Sequence, residues 1–252
     1  NRNAAGALAR ENDARSVSTG VFVQEKVQWN GWVLRAGLRR NTIDHEYALL
    51  GGGVPAVGSK SWHKNLWSLG LRYNVAPGLA LYGNVGTSFM VPAAKQIGGT
   101  VTAPGASGEL ANPGLRPESG RGRDFGIDWQ PVAVVNVGVR AFFNTIQDAI
   151  VTGVVNATQT RSENAGSAQA RGLEFDLRYA PNAEWVLFTN LTRTLSRVDN
   201  PSSPDIHRTE VPFSPGAIAN IGLSGQLPGQ WTISPYFQWV GRYFDSNSRN
   251  GR

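Results

Sequence analysis

The feature that most constrains the fold of this chain is an alternation of apolar and polar residues that persists through long segments. Between residues 67 and 74, for example, Trp67, Leu69, Leu71 and Tyr73 alternate with polar or small residues. A period of two residues is typical of a β-strand with one apolar and one polar face. No segment has the apolar spacing of an amphipathic helix. The sequence therefore predicts an all-β fold.

The alternation predicts ten strands. They cover approximately residues 17–28, 32–44, 62–75, 79–89, 119–130, 133–145, 164–180, 185–196, 213–226 and 231–243. Strands of soluble proteins average about 5–6 residues, whereas a tilted strand that crosses a membrane needs about 9–11 residues. The length of the predicted strands therefore favours a transmembrane, antiparallel, up-and-down β-barrel.

The connections between the predicted strands alternate between short and long. The short ones contain residues that favour tight turns, as at Asn30-Gly31 and Leu227-Pro228-Gly229. The long ones fall at about 45–61, 90–118, 146–163 and 197–212. In bacterial outer-membrane barrels the short turns face the periplasm and the long loops face outside. The same orientation is expected here.

The polar positions of the strands carry too much charge for a packed core, because a buried charge needs a partner to offset its desolvation. A wide, water-filled lumen suits them better. The charged set is Arg35, Arg39, Arg72, Asp124, Asp128, Arg140, Glu174, Asp176 and Arg178. A soluble all-β carbohydrate or protein binder remains the alternative.

Five tryptophans lie within about four residues of a short turn and predict an aromatic girdle at the membrane surface. Indole rings prefer the boundary between membrane and water, and outer-membrane barrels carry aromatic girdles there. The five are Trp29, Trp32, Trp129, Trp185 and Trp231.

The composition excludes several classes of site. The chain of 252 residues has no cysteine and three histidines, which excludes a disulfide scaffold and a thiolate zinc site. Its net charge is +6, but the arginines are scattered, so no nucleic-acid partner is expected. No catalytic residues, metal ligands or cofactor are predicted either. The first residue is not Met and no signal peptide follows it, so we expect the chain to be a piece of a longer protein.

Residues 112–118 carry the most informative motif, a proline-flanked segment ahead of a predicted strand. Its key members are Asn112, Pro113, Leu115, Pro117 and Glu118. The segment resembles the NPxLxPE element of TonB-dependent outer-membrane receptors. Residues 23–39, 86–92, 142–151 and 164–174 also resemble elements of that family in the family's order, and the last stretch includes Gly172 and Glu174.

The resemblance implies a fold. Residues 1–252 would form a partial barrel domain with about ten long strands of a 22-stranded transmembrane β-barrel. The plug domain of the family would be absent from this chain. In the family's pattern, residues 112–118 lead from an outer loop into a descending strand, and a structural role is expected for the motif.

The resemblance also implies a function for the parent protein. It would be an outer-membrane active-transport receptor, not an enzyme, that binds and imports a ferric siderophore. Its partners would be outer-membrane lipid and lipopolysaccharide, the ferric siderophore or a similar nutrient, and the TonB–ExbB–ExbD complex, which acts through the missing plug.

Two groups of residues are candidates for ligand binding. Arg116, Arg121 and Arg123 lie near the predicted outer rim, and the planar guanidinium group suits the oxygen atoms of an anionic siderophore complex. The alternatives are a structural role in the motif for Arg116 and pairing with lumen carboxylates for Arg121 and Arg123. Loop side chains are candidates for stacking or hydrogen bonding, namely His45, Tyr47, Trp62 and His207.

Two further alternatives stay open at this point. A receptor of the same family could carry cobalamin, haem or a saccharide. A complete ten-stranded outer-membrane barrel could act as a protease or adhesin, and it would pair the first strand, 17–28, with the last, 231–243.

Overall fold

A computed structural model describes residues 12–49, 56–101, 107–201 and 207–244. The strands are β1 (Asn12–Trp29), β2 (Trp32–Leu49), β3 (Ala56–Ala76), β4 (Leu79–Met90), β5 (Gly108–Leu110), β6 (Glu118–Val132), β7 (Val135–Val154), β8 (Gln159–Tyr179), β9 (Trp185–Asp199), β10 (Ala217–Leu227), β11 (Trp231–Ile233) and β12 (Tyr236–Val240). One helix, α1, covers Ala94–Gly98. The remaining residues of the predicted domain lie outside the described ranges.

The twelve strands form one sheet, in which strands that follow one another in the chain are antiparallel neighbours. The exceptions are β5, which pairs in parallel with β8, and β12, which pairs with β10 beyond β11. Within the described ranges β1 pairs only with β2. The sheet is therefore open, and the pairing of residues 17–28 with 231–243 that a complete ten-stranded barrel requires is not made.

The two faces of the sheet follow the alternation in the sequence. The face that carries Leu69, Phe125 and Leu173 is called the apolar face, and the opposite one, which carries Arg72 and Glu174, the polar face. Phe125 is 59% exposed and Leu69 is 44% exposed, because no second layer of the described chain covers them. The all-β antiparallel prediction is confirmed, and the exposed apolar face contradicts a dry soluble sandwich.

The two ends of the sheet differ as the connections predict. The short-turn end holds the turns at residues 30–31, 77–78, 133–134, 180–184 and 228–230. Gly31, Gly78 and Gly229 have φ values of 83°, 75° and 81°, which only glycine adopts without strain. The opposite end is called the long-loop end.

Several strands run further toward the long-loop end than the alternation predicts. β7 and β8 have 20 and 21 residues, and only residues 155–158 separate them, although the sequence predicts a connection over 146–163. Strands this long exceed the roughly 9–11 residues that cross a membrane. The outer part of β8 packs against the connection before β6, since Ser162 is 0% exposed and its carbonyl accepts from the Asn112 amide, so the ladder of backbone hydrogen bonds continues there without an alternating side-chain pattern.

A small core lies at the long-loop end and contains helix α1, which the sequence did not predict. Ile97 of α1 and Leu115 of the motif are 0% and 1% exposed. The backbone N–H of Ala93 donates to the side chain of Gln96 at 2.8 Å, which caps the helix.

At the other end of the chain, Pro235 separates β11 from β12, because proline has no N–H to offer the ladder.

Candidate functional site

The polar face carries pairs of charged and polar side chains from neighbouring strands. Arg72 of β3 pairs with Asp128 of β6 across β4, and Arg140 of β7 pairs with Glu174 of β8. The Asn84 amide donates to Asp124 at 2.8 Å. The four side chains of the two ion pairs are between 26% and 48% exposed. The polar face therefore satisfies its carboxylates within itself while it stays open to water, as the wall of an aqueous passage must.

Three of the predicted ligand-binding residues meet on the polar face at the long-loop end. The rings of His45 and Trp62 contact edge to face, with centroids 5.1 Å apart. Tyr47 packs on Gly98 of α1, where an added Cβ would lie 2.4 Å from the tyrosine ring. The strand register brings them together, since Ile43 lies opposite Trp62 and Tyr47 opposite Gly58.

Lys60 completes this group, which is called the aromatic cluster (His45, Tyr47, Lys60 and Trp62). Its ammonium lies 5.8 Å from the Trp62 ring centroid and donates to the backbone carbonyls of Pro113 and Leu115, the second at 3.2 Å. Lys60 lies directly opposite His45 in the ladder. The sequence analysis missed it, because only the register makes it a neighbour of the histidine.

Like Trp62, His45 is only 8% exposed. Thirteen residues separate it from Trp32 at the short-turn end, a height of about 34 Å at the usual rise and tilt, beyond an apolar band about 25 Å tall. Burial lowers the pKa of His45, because desolvation disfavours the charged ring. Its Nδ1 atom makes no hydrogen bond within the described chain.

The motif over residues 112–118 fastens the long connection before β6 to the tips of β7 and β8. The Asn112 amide donates to the Ser162 carbonyl at 2.8 Å, and Glu118 accepts from the Ile150 N–H at 2.7 Å. Leu115 and Pro117 are buried, whereas Pro113 is exposed. These contacts agree with a structural role for the motif.

Asn164 of β8 is the centre of this attachment. Its side chain accepts from the Arg116 N–H and donates to the carbonyls of Arg116 and Asp148, each at 2.8 Å. The Arg116 guanidinium in turn lies 2.5 Å from the Asp148 carboxylate. Asp148 has a φ of 55° and occupies a bulge in β7. The attachment thus holds a strained residue and one ligand candidate in place.

Gly172 and Glu174, also parts of the recognised motifs, have structural surroundings in β8. A Cβ at Gly172 would lie 2.1 Å from the Arg193 carbonyl and 2.6 Å from the Phe142 ring, so only glycine fits there. Glu174 is the partner of Arg140 on the polar face.

The whole chain, residues 1–252, matches the family model described as "TonB dependent receptor-like, beta-barrel". The chain belongs to the TonB-dependent receptor family. Members of this family are transport receptors of the bacterial outer membrane. The resemblance inferred from the motifs is confirmed.

Solved structures share the fold of this receptor chain. The siderophore receptor PiuA from Acinetobacter baumannii superposes with a TM-score of 0.76 at 16% identity, over 96% of this chain and 35% of PiuA. The ferric-catecholate import receptor Fiu from K12 E. coli gives 0.71 at 14% identity, over 91% of this chain and 35% of Fiu. The copper transporter OprC gives 0.69 at 18% identity, over 90% of this chain and 35% of OprC.

The receptor chain therefore spans about a third of the length of these structures. No curated protein matches its sequence. At identities this low, the structural similarity establishes the shared fold and does not identify the ligand of this receptor.

The remaining ligand candidates of the receptor lie away from the aromatic cluster. His207 follows β9, with its Nδ1 atom 4.0 Å from Asp199, a carboxylate that also has Arg197 and Arg208 within 3.6 and 3.8 Å. Arg121 and Arg123 lie on the apolar face, because they share the parity of Phe125 along β6. The carboxylates of the polar face pair with other residues, so the expected lumen pairing of these two arginines is wrong.

The predicted girdle tryptophans all lie at the short-turn end of the sheet. Trp29 and Trp32 face each other across the first turn, and Trp129 lies opposite Leu79 beside the second. Trp185 and Trp231 occupy the equivalent ends of β9 and β11. Trp32 also stacks on Tyr73, with centroids 4.3 Å apart. Tyr73 therefore belongs to the same aromatic girdle. The strand register reveals this, whereas the sequence analysis considered tryptophans alone.

Within the described ranges, no helix is long and apolar enough to cross a membrane. The same residues contain no group of three His, Cys, Asp or Glu side chains placed to hold a metal ion.

Proposed function

We propose that this chain forms part of the barrel wall of an outer-membrane receptor that imports a ferric siderophore. The aromatic cluster is the observation that carries the proposal. It places an indole, an imidazole, a phenol and a cation together on the polar face, at the end where long loops meet the outside of the cell. Siderophore complexes are bulky, oxygen-rich and commonly anionic, and such side chains can stack on them and donate to their oxygens.

The proposal assigns contacts to three of the candidate residues and a supporting role to two. Tyr47 is partly exposed and offers its ring to the ligand, whereas Trp62 and His45 are each 8% exposed and support the surface beside it. The Arg116 side chain is 67% exposed, so its guanidinium has donors left for the ligand beyond its bond to Asp148. His207 would meet the ligand from the loop after β9. Arg121 and Arg123 have no part in this contact, because they lie on the other face.

The transport cycle that we propose needs the rest of the receptor. The TonB–ExbB–ExbD complex would supply energy through a plug domain, as the family resemblance implies. The apolar face would contact outer-membrane lipid and lipopolysaccharide. The names of Fiu and PiuA favour a ferric siderophore as cargo. Another nutrient, such as cobalamin, haem, a saccharide or copper, is the second candidate, and OprC is the neighbour that favours copper.

Uptake measurements test the proposal. A strain that lacks the intact receptor should fail to take up radioactive iron from one or more defined siderophores, and the intact gene should restore uptake. A Tyr47→Ala receptor should bind that siderophore about tenfold more weakly, as expected for the loss of one aromatic contact. Tyr179→Ala, on the apolar face, is the matched control. Restored uptake of cobalamin, haem or copper, without iron uptake, would overturn the choice of cargo.

A further inference from the structure

Five arginines gather on the apolar face of β6, β8 and β9, where an alternating strand should present apolar side chains. Arg123 lies opposite Phe143, and Phe143 lies opposite Arg171. Arg171 in turn lies opposite Leu195, which has an arginine two residues away on each side. The group, called the arginine patch, consists of Arg121, Arg123, Arg171, Arg193 and Arg197.

The spacing of the patch concentrates its charge. Residues two apart in a strand are about 7 Å apart, and diagonal neighbours on adjacent strands are about 7–8 Å apart. Arg121 and Arg123 are two residues apart in β6. Arg171 is a diagonal neighbour of both Arg193 and Arg197 on the adjacent strand. All five side chains are exposed. Like charges this close repel one another unless an anion lies among them.

The described chain supplies almost no anion to the patch. Over residues 119–129, 135–145, 167–179 and 185–199, Asp199 is the one carboxylate that shares the apolar face. It lies 3.6 Å from Arg197. Arg193 donates to the Gly216 carbonyl at 3.0 Å, and Arg121 lies 5.8 Å from the Trp67 ring centroid. Arg123 and Arg171 form no ion pair within the described ranges.

The height of the patch matches a membrane surface. Arg121, Arg171 and Arg193 are each eight residues from an aromatic residue at the short-turn end. Eight residues of a tilted strand rise about 20 Å, and the apolar band of an outer-membrane barrel is about 25 Å tall. An arginine at mid-membrane costs about 2–4 kcal/mol, but near the interface only about 0–1 kcal/mol. These three arginines therefore lie where acyl chains end and headgroups begin, and Arg123, six residues from Trp129, lies about 5 Å lower, a distance that its long side chain can span.

We propose that the arginine patch binds the phosphate groups of a phosphorylated glycolipid in the outer leaflet, while Trp67, Phe143 and Leu195 contact its acyl chains. The guanidinium group forms two parallel hydrogen bonds to phosphate oxygens, so several arginines can share one phosphorylated headgroup. The interleaved apolar side chains suit the chains of the same lipid. This inference rests on the proposed outer-membrane location of the receptor.

The test uses the intact receptor, purified from outer membranes in mild detergent, and counts bound lipid A by native mass spectrometry. Arg121→Gln, Arg123→Gln and Arg171→Gln are combined in one variant. Arg35→Gln, Arg39→Gln and Arg178→Gln, on the polar face, form a control with the same change in charge. We expect the patch variant to bind lipid A with both phosphates at least about tenfold more weakly, and the control to bind it as the wild type does.

Two further measurements keep the test decisive. Lipid A without phosphates should bind the wild type as weakly as it binds the patch variant. If the patch variant fails to fold, the wild type alone decides the matter, because salt must release the phosphorylated lipid from an ionic site. Equal binding of both lipids, or binding that salt leaves unchanged, overturns the inference.

Failure of the inference is distinguishable from failure of the proposed function. A receptor that fractionates with the outer membrane and imports iron, yet binds both lipids equally, refutes the arginine patch alone. A receptor that is absent from the outer membrane refutes both proposals together.

Discussion

Both faces of the sheet carry arginines, but the arginines of the two faces have different neighbours. On the polar face, Arg72 and Arg140 lie against carboxylates of neighbouring strands. On the apolar face, Arg123 and Arg171 have apolar side chains as their direct neighbours in the ladder. A charge on the polar face is thus balanced by the protein, and a charge on the apolar face is left to the surroundings.

This difference teaches that the medium outside each face decides what its side chains must satisfy. Water lets half-exposed pairs form and separate at little cost. Hydrocarbon tolerates a charge only near its edge. The patch lies toward the long-loop end, while the lower strands below it carry residues such as Phe125, Leu173 and Leu191 on the apolar face.

The largest effect is expected from a charge placed low on the apolar face. Phe125 lies four residues from Trp129, a height of about 10 Å, near the middle of the apolar band. Phe125→Arg should lower the free energy of unfolding from lipid vesicles by about 2–4 kcal/mol. Ser68→Arg on the polar face is the control and should change it by less than about 0.5 kcal/mol. A loss below about 0.5 kcal/mol for Phe125→Arg as well would mean that both faces meet water.

The next effect concerns how the polar face holds its long-loop end. Asn164→Ala removes three hydrogen bonds at once and leaves two carbonyls and an N–H without that partner. We expect a loss of about 2 kcal/mol, confined to residues 107–118, measured as faster hydrogen exchange there. Asn144→Ala, lower on the polar face, is the control. Unchanged exchange would show that the buried side chain of Leu115 holds the segment alone.

A smaller effect should appear at the short-turn end of the apolar face. Trp32 and Tyr73 stack, and such pairs contribute about 0.5–1.5 kcal/mol beyond the area that they bury. A double-mutant cycle with Trp32→Leu and Tyr73→Leu, read from unfolding in vesicles, measures this coupling. A coupling near zero would mean that each ring interacts with the lipid interface independently.

The smallest effect is expected within the polar face itself. A double-mutant cycle with Arg72→Gln and Asp128→Asn should give a coupling of about 0.2–1 kcal/mol, because both side chains are 40% exposed or more. High salt should reduce it further. A coupling of several kcal/mol would show that the polar face is dry, which would remove its contrast with the other face.

Much of this fold could be predicted because a period of two residues fixes the faces of a strand. The alternation around Leu69 and Phe125 indicated both the strands and their faces. The same parity places Arg121 and Arg123 with Phe125, so their face was available from the sequence by counting. The expectation of a lumen contact followed from the chemistry of arginine instead. It failed because the position of these residues in the strand directs them to the apolar face.

Other features depend on information that one strand does not contain. Lys60 joins His45 and Trp62 through the register between β2 and β3, which no local pattern encodes. Helix α1 has five residues, too few for a periodic pattern to be recognised. The extension of β7 and β8 past residue 146 has no alternation, since it contacts the connection before β6 through side-chain and backbone hydrogen bonds and not through an apolar face.

The extra length of β7 and β8 separates two tasks along the same strands. Their lower parts must satisfy the bilayer, which restricts every second side chain to apolar types. Their upper parts hold the attachment at Asn164 and the neighbouring contacts where no such restriction applies. Evolution can therefore change the side chains of this rim, one substitution after another, without disturbing how the protein inserts.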